Sequence, residues 1–107
     1  MTFFEKQLEK GVFQICYCKK CNNTLWPPKE ICHICHEKTD WRKSRNVGTI
    51  VEFSKKDSAY FGLIEVDDGI RILGEISCSS KPNVGQSVRM TVSFHIKPHY
   101  SFIVENN

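Results

Sequence analysis

Two cysteine pairs, Cys18-Lys19-Lys20-Cys21 and Cys32-His33-Ile34-Cys35, constrain this chain more than any other feature. Each pair puts two thiols on one tight turn. The ten residues between the pairs are enough for a strand, a corner and a strand back. Folded onto each other, the pairs make a tetrahedral four-thiolate cage, whose geometry and soft ligands suit a structural zinc ion. Iron fits the same thiolates, and spacing does not separate the two metals. A closed four-cysteine site leaves no coordination position for water or substrate, so the metal is expected to build structure and perform no chemistry. The expected ligands are Cys18, Cys21, Cys32 and Cys35, and the expected cofactor is structural Zn2+.

Six cysteines in 107 residues also fit a disulfide framework. Two observations weigh against it. Four of the six stand as close pairs, and the start Met1-Thr2-Phe3-Phe4-Glu5-Lys6 lacks the basic and apolar regions of a secretory signal. A redox Cys-x-x-Cys pair belongs at the start of a helix in a thioredoxin-like unit, a pattern not visible here. With no apolar run near the roughly 20 residues that span a bilayer, the expectation is a cytoplasmic protein with no membrane association. Cys16 and Cys78 stand apart from the pairs and read as small apolar fillers.

The formal charge of +3 is unevenly distributed. Residues 1–46 hold nine Lys/Arg against five Asp/Glu, and residues 47–107 hold six against seven. Four thiolates and a dication together add about −2 to the first part, so a loaded cage removes much of its basic excess. A nucleic-acid footprint asks for a denser positive stripe.

Along the chain, residues 2–10 read as a short helix, with Thr2 as N-cap, Glu5 three residues on, Phe4 and Leu8 on one face, and Gly11 as terminator. So short a helix must dock on the body of the molecule or on a partner. Residues 12–17 read as the strand entering the first knuckle, and Pro27-Pro28 as an extended corner presenting Trp26. The residue after each pair is expected to turn left-handed, which suits Asn22 better than His36. Residues 37–46 read as a polar link broken by Trp41, which packs the ribbon against the C-terminal part of the chain.

From Val47 the texture is β. Strands are expected around Gly48–Phe53, Tyr60–Val66, Ile70–Ile76, Val88–Ile96 and Tyr100–Val104, with a hairpin at Asp67-Asp68-Gly69 and a loop at Ser79–Gly85. Val88, Met90, Val92, Phe94 and Ile96 alternate with polar residues as one inward face. Five short strands in about 60 residues indicate a small closed barrel, first an OB-fold and second an SH3-like barrel. The fold class expected is mainly β: a short N-terminal helix (1–11), a four-cysteine zinc ribbon with its linker (12–46), and a five-stranded OB-fold barrel (47–107).

This order of features resembles the rubredoxin-like zinc-ribbon plus OB-fold proteins that accompany thiolases and other acyl-CoA enzymes. The likeness rests on the two cysteine pairs, Trp26-Pro27-Pro28-Lys29, Trp41, Gly48-Thr49, Glu65-Val66-Asp67-Asp68-Gly69 and Gly85, and covers nearly the whole chain. Departures are Asn22 and His36 where that family often has Gly, His33 where it often has Pro, Cys16-Tyr17 before the first ligand, and a short Ser54–Ala59 segment between the first barrel strands. The resemblance implies a non-catalytic accessory subunit. Its partners would be thiolase-like enzymes and HMG-CoA synthase-like enzymes, with intermediates passed between them by proximity.

Residues expected to meet a partner or an acyl-CoA are Phe4, Trp26, Lys29, Trp41 and Arg42. An aromatic beside a rigid proline corner makes an interface anchor, although Trp26 can equally cover the ribbon's thin core. Arg42, Lys43 and Arg45 can meet CoA phosphates or an acidic surface, or remain a solvated linker. Lys19 and Lys20 read as compensation for the anionic cage. His33 and His36 read as exposed knuckle residues, His95 as a solvent-facing strand residue, and Glu65, Asp67 and Asp68 as solvated turn carboxylates; none reads as catalytic. Two rival functions stay open at this point: a single-stranded nucleic-acid-binding module, since zinc ribbons and OB-folds both serve that purpose, and an acyl-CoA enzyme in its own right.

Overall fold

A computed structural model describes residues 1–67 and 69–105. Asp68, the centre of the expected Asp67-Asp68-Gly69 turn and one of its carboxylates, lies outside the described residues. In chain order the elements are helix α1 (Phe3–Glu9) and strands β1 (Gln14–Cys18), β2 (Asn23–Leu25), β3 (Asp40–Lys43), β4 (Val47–Lys56), β5 (Ala59–Val66), β6 (Ile70–Ser77), β7 (Ser87–His95) and β8 (Lys97–Val104).

Helix α1 starts where the sequence places a cap. The Glu5 N–H donates to Thr2 Oγ1 at 3.1 Å, and the Thr2 N–H donates back to Glu5 Oε1 at 2.9 Å, a reciprocal capping box. Gly11, at φ 78°, takes the left-handed turn that ends it. Phe4 and Leu8 face inward and are buried, so the helix docks on its own molecule.

The first sheet has the order β2-β1-β3 and carries the cysteine knuckles. Its third strand was not expected. Residues 40–43 lie in the stretch read as a polar link, yet they pair with β1 from Gln14↔Lys43 to Tyr17↔Asp40. Only Trp41 gives that segment an apolar residue, so its strand character comes from backbone pairing with β1 and leaves no alternation to read.

The remaining strands close a five-stranded barrel in the order β4-β5-β6-β8-β7, with β7 returning to β4. All neighbours are antiparallel except β6 and β8, which are parallel. That Greek-key closure is the expected OB arrangement. A bulge between Ile50 and Glu52 sets Val51 outside the ladder and bends β4 around the barrel. The connection expected at Ser54–Ala59 is shorter still. Strands β4 and β5 extend to leave only Asp57 and Ser58, both at positive φ, as a two-residue hairpin turn.

Alternate residues fill the barrel: Ile50, Ile64, Val66, Ile70, Ile72, Ile76, Val88, Met90 and Phe102 are buried. Phe4, Leu8, Phe13 and Ile15 join the same cluster, so helix and β1 share the barrel's core, with α1 lying against β7. Ile96 departs from the expected alternation. His95 pairs with Lys97, leaving Ile96 as the single connecting residue at φ 67° and 88% exposed.

Candidate functional site

The two knuckles meet. The Sγ atoms of Cys18, Cys21, Cys32 and Cys35 all lie within 4.8 Å of one another, with Cys18 and Cys32 buried and Cys21 and Cys35 half-buried. Cys18 and Cys35 are 3.5 Å apart at sulfur, and Cys32 and Cys21 are 4.0 Å apart. Zinc–sulfur bonds of 2.3 Å in a tetrahedron require sulfur–sulfur edges of about 3.8 Å. These separations match that edge and are far longer than a disulfide bond. The donor set therefore fits a tetrahedral metal ion. Each knuckle closes with the residue after its second cysteine in a left-handed conformation: Asn22 at φ 50° and His36 at φ 61°. Asn accepts this readily; His36 does so with a larger side chain left in solvent.

The thiols are not equivalent before a metal arrives. Backbone N–H groups of Cys35 and then Ile34 point at the Cys32 sulfur and lower its pKa to about 7. The Cys21 thiol is pushed up to about 12, first by hydrogen bonding with Cys35 and then by burial. Four thiolates without a cation repel one another, and a dication inverts that balance.

Cys16 is fully buried on the opposite strand face from Tyr17, and its thiol donates to the Lys29 carbonyl at 3.0 Å. Thr39 Oγ1 donates to the same carbonyl at 2.6 Å. These bonds fix the chain after the Trp26-Pro27-Pro28 corner, whose Trp26–Pro27 peptide bond is cis. Cys78 is half-buried against the barrel core.

The five residues expected at a partner surface fall in different places. Phe4 is turned into the core. Trp26 is half-buried, 5.9 Å from Phe4 and 5.7 Å from Phe13 between ring centroids. Trp41 is half-buried, 5.1 Å from Phe3 and 6.4 Å from Phe4. Phe13 in turn meets Tyr100 of β8 edge-on at 6.0 Å. These rings form a seam joining α1, the ribbon and the barrel. Tyr100 sits deep enough in it for burial to push its hydroxyl up to about 12. Lys29 is exposed, and Arg42 stands 3.7 Å from Asp67.

Beside the seam lies a groove of about 620 Å³, lined by Phe3, Pro28, Lys29, Ile31, Trp41 and Pro98 among others, within the size range of small-molecule sites. Phe4, Lys29 and Trp41 are the expected residues that reach it. Phe3 and Ile31, 45% and 50% exposed, were missed. The signal for Phe3 was present: it lies off the helix face defined by Phe4 and Leu8, so a large apolar side chain had to point elsewhere. All four histidines, His33, His36, His95 and His99, are exposed, which gives none of them the sheltered setting of a tuned general base.

No family model matches the chain, and no curated protein matches it in sequence. Solved structures do. One is a chain of the Ltp2–ChsH2(DUF35) aldolase, with a TM-score of 0.77 at 16% identity, covering 95% of this chain and 91% of that one. Another is a protein of unknown function from the DUF35 family of Sulfolobus solfataricus, with a TM-score of 0.66 at 18% identity, covering 95% and 82%. The chain has the fold of these DUF35 proteins over nearly its whole length.

Proposed function

We propose that this protein is a non-catalytic accessory subunit that docks an acyl-CoA-processing enzyme and keeps its intermediate near a second active site. One observation carries the reading: the whole-chain likeness to a DUF35 chain from an aldolase whose name pairs it with a second protein. The thiolase-like and HMG-CoA synthase-like partners come from the sequence resemblance, and direct contact with CoA would fall to Lys29, since Arg42 is engaged by Asp67. The cage is read as a structural zinc site that holds the ribbon's loops against the groove. Helix 1–11, ribbon and linker 12–46, and barrel 47–107 serve as three parts of one cytoplasmic platform.

Two features support a binding role over catalysis. A closed four-thiolate site leaves no position for a substrate, and the histidines lie in solvent. The barrel wall argues against single-stranded nucleic acid as the partner. On β5 and β6 it presents Phe61 and Leu73 beside Glu65 and Glu75, and Arg71 on the same face is paired with Glu65 at 3.2 Å, where a strand binder needs cations turned to the phosphates between stacking rings.

Affinity purification of the tagged protein from its native source tests the reading. Co-purification of a thiolase-like or synthase-like enzyme is the expected result. Recovery without such an enzyme, salt-dependent binding to short single strands, or turnover of an acyl-CoA by the purified chain alone would each replace it.

A further inference from the structure

The link between ribbon and barrel is gripped by a buried carboxylate. Asp67 ends the β5 side of the β5–β6 hairpin, and its side chain is 2% exposed. Such a carboxylate must find partners within the protein, and among the described residues its side-chain partners come from the ribbon side. Ser44 Oγ donates to Asp67 Oδ2 at 2.5 Å, the length of a hydroxyl–carboxylate bond. The same hydroxyl accepts the Asn46 N–H at 2.9 Å. Arg42 Nη1 and Arg45 Nε stand 3.7 Å and 3.8 Å from Asp67 Oδ1. Arg45 is 80% exposed, so its share is small. Ser44 and Arg42 do most of the holding. The Asn46 carbonyl then accepts the Met90 N–H at 2.8 Å, which stitches the link into β7.

The aromatic seam is the second fastening, and it lies elsewhere on the barrel. Val66, Gly48, Val88 and Val104 form one cross-strand row, and Asp67 follows Val66. Tyr100, the barrel's contribution to the seam, is four residues along β8 from Val104, about 13 Å at the usual strand rise. The seam, with Phe13 and Ile15 of β1 in the shared core, holds the ribbon at one place, and the Asp67 contacts hold it at a second, which restricts rotation about the first.

We propose that Asp67 is a positioning residue that fixes the ribbon's orientation on the barrel, so that the cage, the groove and the barrel wall meet a partner as one rigid surface. The use of that rigidity rests on the accessory-subunit reading; the rigidity itself does not.

Residual dipolar couplings of the zinc-loaded protein test it without any partner. In the unaltered chain, ribbon and barrel amides are expected to fit one alignment tensor. In Asp67→Ala and in Ser44→Ala the ribbon couplings should shrink while those of the barrel keep their size. Asp67→Asn, which keeps the shape and an acceptor for Ser44, should show a smaller loss. If Asp67→Ala does not fold, Ser44→Ala decides, since it removes only a hydroxyl. Identical tensors for ribbon and barrel in the folded variants would overturn the proposal, even with a lowered melting temperature, because Asp67 would then be a stabilising contact and nothing more. Separated tensors in a protein that captures no enzyme would leave the positioning role standing and remove the accessory reading.

Discussion

At Gly74 the barrel wall has no room for a side chain. A Cβ there would come within 2.6 Å of the Phe102 ring and 2.6 Å of the Tyr100 carbonyl oxygen. Phe102 is fully buried and the carbonyl belongs to the neighbouring strand, so neither can withdraw cheaply. Gly74→Ala is therefore expected to destabilise the protein by about 1–3 kcal/mol, the usual range for overpacking a closed core. The measurement is the denaturant midpoint at constant slope, and an unchanged midpoint would mean the β6–β8 pairing is looser than its geometry. This constraint could not be read from the sequence, where Gly74 merely interrupts an alternation of isoleucines. Asp67 was hidden for a related reason. Its hydroxyl partner Ser44 lies 23 residues away, so in the sequence the aspartate is only a turn residue. The four cysteines were legible because spacing and ligand chemistry act locally.

Among the elements, those with a periodic signal or a local cap emerged from the sequence, and those made by pairing alone did not. The capping box of α1 and the inward run from Val88 to Phe94 depend on residues near one another. Strand β3 depends on β1 and has no periodicity of its own. The end of β7 shows where periodicity misleads. Alternation carries Ile96 into the core, but the return of β8 at Lys97 makes it the hairpin tip, in a conformation that a β-branched residue adopts at a cost of about 1–2 kcal/mol. With its side chain 88% exposed, Ile96 recovers little of that cost by burial. Ile96→Gly is expected to raise stability by about 1 kcal/mol, less than the full strain because glycine loses more backbone freedom on folding. Thermal unfolding checks this. A lowered melting temperature would show that the isoleucine packs on a neighbouring surface in solution.

For the whole molecule, the apolar core and the four-cysteine cluster divide the work unequally. The core runs from α1 through Phe13 and Ile15 of the ribbon's first strand into the barrel. The ribbon's remaining cluster consists of Cys16, Cys18, Leu25 and Cys32, with Trp41 against it. Two of those four, Cys18 and Cys32, belong to the four-cysteine cluster, and one leucine cannot hold two knuckles and a proline corner together. Metal binding in small ribbons supplies about 10–16 kcal/mol, which is the term this part of the molecule lacks. Chelation should therefore remove amide protection from residues 19–39 while leaving it at Ile64, Ile72 and Phe102. Acid should do the same by another route. A thiolate whose pKa is depressed in the folded state stabilises the fold at high pH and loses that contribution as pH falls through the depressed value. For Cys32 that value is already about 7 without a metal, and a bound dication lowers it further, so metal release is expected on acidification below 7. Hydrogen exchange with and without chelator, together with metal content across the same pH range, tests both routes. Uniform loss of protection in ribbon and barrel would mean that the shared core, and not the cage, sets the cooperativity of the fold. Loss confined to the ribbon would make the cage a separable clamp, with the groove beside it assembled only while the ion is bound.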